Sequence, residues 1–117
     1  MRILVASLTA LFIAGPALAD FQRVQQRDTF VSLVENRDLT RFGIRLKVLQ
    51  DGRISGRAFG QKVSGAWSWS SGFFCRDLYV NGDELDTKNC QKVEVKGDTL
   101  RFTSDRGQGD YADLRLR

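Results

Sequence analysis

The chain has 117 residues, 27% of them charged, and carries 18 Lys and Arg against 14 Asp and Glu for a net charge of +4. That is the length of one domain. It contains no histidine, which excludes Ser-His-Asp and Cys-His catalysis and removes the commonest metal ligand.

The chain opens with Met1-Arg2, an uncharged apolar run from Ile3 to Gly15, and Pro16-Ala17-Leu18-Ala19 before Asp20. This is the pattern of a secretory signal peptide, residues 1–19, cleaved after Ala19. The run is short for a membrane span, and no second apolar segment follows it. Residues 20–117 are then a single small β-domain in the periplasm or outside the cell, with no integral membrane segment. The charges of both signs are interspersed rather than blocked, as on a solvated surface, and no basic cluster marks a nucleic-acid face.

Asp28 to Asn36 reads as one short helix. Asp28 is placed to cap its start, Phe30, Val31, Leu33 and Val34 form its apolar stripe, and Asn36 ends it. Everything after it reads as strand. Phe42, Ile44, Leu46 and Val48 alternate with Gly43, Arg45 and Lys47, giving a half-buried strand. Asp51-Gly52 is a hairpin signal. Arg53 to Val63 reads as the return strand, with Ile54, Ala58 and Phe59 apolar, and with Gly56 and Gly60 marking a bulge or a bend. A further strand around Trp67 and Trp69 turns at Ser71-Gly72 into Phe73–Val80. A polar loop is expected from Asn81 to Lys88, then strands at Cys90–Lys96 and Leu100–Thr103, a glycine-rich loop at Asp105–Asp110, and a last alternating strand, Tyr111–Arg117. Short connections favour antiparallel neighbours. The expected fold is mainly β: a small antiparallel β-barrel or curved meander sheet of about seven strands with one short N-terminal helix.

Cys75 and Cys90 are the only cysteines. In an exported chain they are expected to form a disulfide. Arg76 and Asp77 stand beside Cys75, either as a surface ion pair or as the polar handle of a site. Trp67, Trp69, Phe73 and Tyr79 are the other ligand-binding candidates. Turned inward the two tryptophans fill the barrel; turned to a groove they offer a stacking platform. The acidic groups Asp83, Glu84 and Asp86, and Asp105, Asp110 and Asp113, leave carboxylate catalysis open as a minor route. No nucleotide fingerprint or P-loop is present, and no metal or other cofactor is expected.

The run Gly65-Ala66-Trp67-Ser68-Trp69-Ser70-Ser71-Gly72-Phe73-Phe74-Cys75-Arg76-Asp77-Leu78 resembles a family of small exported alphaproteobacterial proteins, as does Gly97–Gly107 with Gly109–Asp113. The resemblance implies an exported single domain. Proteins of that group are often labelled dihydrodipicolinate reductase. A reductase of that name carries a Rossmann fingerprint and a His- and Lys-containing motif, and these residues supply neither.

Three functions are therefore expected, in this order. The first is a disulfide-stabilised binding or interaction module, such as an inhibitor of an envelope hydrolase or a partner of an envelope protein. The second is a small-ligand carrier with an aromatic-lined barrel. The third is an enzyme, carboxylate-based or the reductase of the label. Export sets the first test: intact mass of the protein recovered from the periplasm gives a chain beginning at Asp20, and a retained Met1 contradicts the signal peptide.

Overall fold

The protein's structure, a computed structural model, describes residues 20–117. The expected signal peptide lies outside the described residues. The elements in chain order are β1 (Gln22–Val24), α1 (Arg27–Val34), β2 (Leu39–Arg41), β3 (Ile44–Val48), β4 (Arg53–Ala58), β5 (Gln61–Ser70), β6 (Phe73–Val80), β7 (Asp83–Lys96), β8 (Thr99–Thr103) and β9 (Tyr111–Leu116). A short turn, Ser104–Gly107, joins β8 to β9.

Every strand from β2 to β9 pairs antiparallel with its successor, and β9 returns to β2 through Leu39↔Leu116. The meander thus closes into an eight-stranded barrel, which removes the exposed edges of an open sheet. β1 is the extra strand. β6 stops pairing with β7 at Phe74↔Gln91, and β1 takes over with Val24↔Val93.

Closing eight short strands needs strong coiling. Gly56 stands opposite Leu46, and Gly65 opposite Leu78. A Cβ at Gly56 would run into the carbonyl oxygen of Arg45, and one at Gly65 into that of Asp77. Only glycine permits these close backbone approaches.

Two-residue turns set much of the register. Phe59-Gly60, Ser71-Gly72 and Asn81-Gly82 all have positive φ at both positions, the geometry whose twist matches the flanking strands. The strand expected over Arg53–Val63 is therefore two strands, with Gly60 in the turn between them. Phe42 and Phe59, read as strand residues, sit at turns instead and are 92% and 69% exposed. The register explains it: Ile44↔Ala58 is the last pair of β3 with β4, and both rings lie beyond it.

Three further expectations change. β1 and β2 add two strands. The expected polar loop 81–88 is mostly strand, because β7 starts at Asp83 and pairs with β6 through register shifts near Arg76–Tyr79. The expected glycine-rich loop contains a left-handed turn, with φ of 53° at Asp105 and 54° at Arg106. The disulfide forms as expected: Cys75 and Cys90 are bonded and are direct register partners between β6 and β7.

α1 sits at one end of the barrel. It starts at Arg27 rather than Asp28, and Gln26 at its N-cap makes no side-chain capping bond. Asp28 instead lies in the first turn, where a negative charge favours the helix dipole. Asn36 follows the helix with φ 56°, as its stop. Phe30 is fully buried among four aromatic rings: Trp67 at 5.4 Å, Trp69 at 5.1 Å, Phe74 at 5.0 Å and Phe102 at 6.4 Å between centroids. Val24, Val34, Val93 and Leu100 complete this packed end. Truncating such a side chain removes both buried area and packing, at about 3–5 kcal/mol. Phe30→Ala is expected to lower unfolding stability by that amount in denaturant titration, and Phe30→Leu by clearly less. A loss under 1 kcal/mol for the alanine variant contradicts the role of Phe30 as the plug.

Candidate functional site

Strand alternation decides which side chains see the barrel interior. From β2 come Leu39 and Arg41, from β3 Ile44, Leu46 and Val48, and from β4 Ile54. Phe74, Arg76 and Leu78 come from β6, and Gln91 from β7. Phe102, Ala112 and Leu114 complete the wall from β8 and β9. Together they line a half-open cavity of about 160 Å³ whose surface is mostly apolar. Phe30, Trp67 and Trp69 are not among its lining residues. Phe74 and Phe102 are, and both also contact Phe30. Their rings separate the packed helix end from a cup on the other side.

Arg76 is the best-anchored polar group of the cup. Its Nε donates to Gln91 Oε1 at 3.2 Å, and its Nη1 to Asp86 Oδ2 at 3.1 Å. Its side chain is only 15% exposed. Gln91, itself buried, donates from Nε2 to Ser104 Oγ at 3.3 Å. Arg41 ends β2 beside the Phe42-Gly43 turn, so it stands on the rim. Asp113 lies close enough to feel its charge but is already engaged by Arg101 through bonds of 2.8 and 3.0 Å. Those bonds, and the nearby charges of Arg101 and Arg41, hold the Asp113 carboxyl below its ordinary pKa.

The five ligand-binding candidates do not converge. Trp67 and Trp69 share one face, as their spacing indicates, and both pack on Phe30 at the helix end. Trp67 is buried, and its Nε1 donates to Leu49 O at 2.7 Å. Trp69 Nε1 donates to Gln25 O at 2.9 Å. The two indoles thus anchor the chain entering α1 and the β3–β4 turn. Phe73 stacks with Arg23 at 4.8 Å and Arg106 at 5.5 Å. Tyr79 is half-buried, opposite Ser64 and Glu84. Arg76 alone of the five lines the cup. Arg76 and Asp77 do not pair with each other: Arg76 bonds Asp86, while Asp77 Oδ1 accepts from the Lys88 backbone N–H at 2.6 Å. Asp77 thereby secures the irregular stretch of β7.

Three of the six acidic candidates are held in local contacts: Asp86 with Arg76, Asp113 with Arg101, and Glu84 with the Thr87 hydroxyl. Among the described residues, no three of His, Cys, Asp or Glu cluster so as to hold a metal ion. No helix among them is long and apolar enough to cross a membrane.

Residue-by-residue reading missed Arg41 and Gln91. Arg41 belongs to a three-residue strand with no alternation to detect. Gln91 was one polar residue in a strand, and its partner Arg76 lies on the neighbouring strand. The inward phase of Ile44, Leu46 and Val48, and of Ala112 and Leu114, was readable.

Compared with known protein families, with curated proteins and with solved structures, the chain matches none.

The disulfide joins β6 to β7 at the residue next to Arg76 and closes a sequence separation of 15. Closing a loop of that size stabilises by about 3 kcal/mol in the chain-entropy account. The Cys75→Ser, Cys90→Ser double variant is expected to lose stability of that order in guanidinium titration. An unchanged midpoint contradicts the role of the disulfide as a strap for this pair of strands.

Proposed function

We propose that the protein is an exported binding module whose barrel cup takes a small ligand. The carrying observation is the cup itself: an apolar cavity of about 160 Å³, floored by Phe74 and Phe102 and bordered by Arg41, Arg76 and Gln91. Small-molecule sites have this composition, a mostly apolar wall with a few placed polar groups. The volume compares with that of an engineered apolar cavity of about 150 Å³ that binds benzene. Export is supported by the signal-peptide pattern and by the disulfide, since disulfides persist in oxidising compartments. Binding rather than turnover is proposed. The cup's volume lies below the roughly 300–1,000 Å³ of sites for drug-sized ligands, which favours a small ligand.

A second reading is recognition of an exported partner, such as an envelope hydrolase, by the barrel surface. It rests on Phe42 and Phe59. Their turns are joined by a bond from Phe59 N–H to Gly43 O at 2.7 Å, and both rings are largely exposed.

A neutral apolar probe separates the two readings. Toluene in excess is expected to raise the thermal midpoint of the wild-type protein by several degrees, since a ligand that binds only the native state stabilises it by mass action. Ala112→Leu places a larger side chain in the cup and is expected to abolish that shift while folding normally. No shift in the wild type, or an equal shift in the variant, contradicts the cup as the binding site.

A further inference from the structure

We infer that the ligand of the cup is a small organic carboxylate: an apolar tail about the size of a benzene ring or a six-carbon chain, with the anionic head held at the rim by Arg41 and Arg76. This rests on the cup being the binding site.

The charge of the lining is one-sided. Among the described residues, Arg41 and Arg76 are the only ionisable ones in the lining, and both are cationic. An apolar cavity bordered by two guanidinium groups suits neither a cation nor a neutral hydrocarbon best. It suits an anion attached to a short apolar body, because each part then meets its own environment.

The two arginines have different duties. Arg76 is fixed in place by Gln91 and Asp86, and Gln91 is itself fixed by Ser104. Those contacts use Nε and Nη1 and leave Nη2 without a partner among the described residues. A donor held this way loses little freedom when it meets a ligand. Arg41 makes no ion pair with the described residues, and its acidic neighbour Asp113 is engaged by Arg101. Asp86, 41% exposed, opposes an incoming anion, and Asn89 Nδ2 donates to it at 3.4 Å. Two cations against this one acid leave the rim net positive.

A carboxylate fits better than a rounder anion. Its planar pair of oxygens matches the fork of a guanidinium, and such bonds are shorter and stronger than neutral ones. Tail length follows from the volume of about 160 Å³. A six-carbon tail fills it, and a long acyl chain would leave most of its length in water.

The test compares six-carbon chains that differ in their polar end. Hexanoate, 1-hexanol and hexylammonium are titrated into the purified protein by calorimetry, with Arg41→Gln and Arg76→Gln beside the wild type. A bond to a charged group is worth about 1.5–3 kcal/mol, or roughly ten- to a hundredfold in affinity. Wild type is expected to bind hexanoate at least tenfold more tightly than 1-hexanol, and to bind hexylammonium weakest. Arg41→Gln, at an exposed position, is expected to remove most of the hexanoate advantage and leave 1-hexanol binding unchanged. Arg76→Gln is expected to act in the same direction. Equal binding of hexanoate and 1-hexanol, insensitive to Arg41→Gln, overturns the carboxylate inference and leaves the apolar cup standing. No binding of any of the three overturns both.

Discussion

The burial of one ring, Phe30, gives this barrel two different ends. An eight-stranded barrel closes its edges but not its ends. Phe30 reaches from α1 into the helix end and meets Trp67, Trp69, Phe74 and Phe102. Edge-to-face and offset contacts of this kind add about 0.5–1.5 kcal/mol per pair beyond the area they bury. The surrounding backbone is tied to the same point. Trp67 and Trp69 bond the carbonyls of Leu49 and Gln25, Arg27 bonds that of Gln50, and β1 pairs with β7 just ahead of the helix. The N-terminal segment is thus a stopper with its own fastenings.

What the stopper leaves open follows from the same geometry. Phe74 and Phe102 belong to both halves: one side of the pair meets Phe30, and the other floors the cup. Above that floor the lining is mostly aliphatic, with Arg76 between Phe74 and Leu78 along β6 and Arg41 at the end of β2. The strap of Cys75 and Cys90 lies one residue from Arg76, and Asp77 on the other side of Arg76 holds the irregular stretch of β7 through Lys88. Arg76 is therefore flanked by a covalent link and a short hydrogen bond. Such fixing is expected of a group that must present charge at the edge of an apolar space.

Much of the fold was legible in the residues. Ile44, Leu46 and Val48 alternate because one face of β3 is buried. The glycines after Ser71 and Asn81 mark turns because few other residues accept positive φ. The Cys75–Cys90 link followed from an even cysteine count in a chain whose N-terminal sequence reads as an export signal. Other parts were not legible, for identifiable reasons. β1 and β2 are three residues long and owe their existence to partners at positions 93–95 and 115–116. The first half of β7 is polar and largely exposed, so it carries no alternation. Phe42 and Phe59 look like core residues, and only the register places them on turns. Of the site, Arg76 was visible through its place beside Cys75. Arg41 was not, because the cup is assembled from strands that meet only when β9 returns to β2.

Phe30 fills one end of the barrel and leaves the other as an apolar cup. Xenon enters empty apolar cavities, so methyl shifts under xenon pressure test the claim directly. Methyl groups of Leu39, Leu46, Leu78 and Leu114 are expected to shift, while those of Val24, Val34 and Val93 stay unchanged. Shifts at Val24 and Val34, or no shift in any of the four leucines, would contradict it.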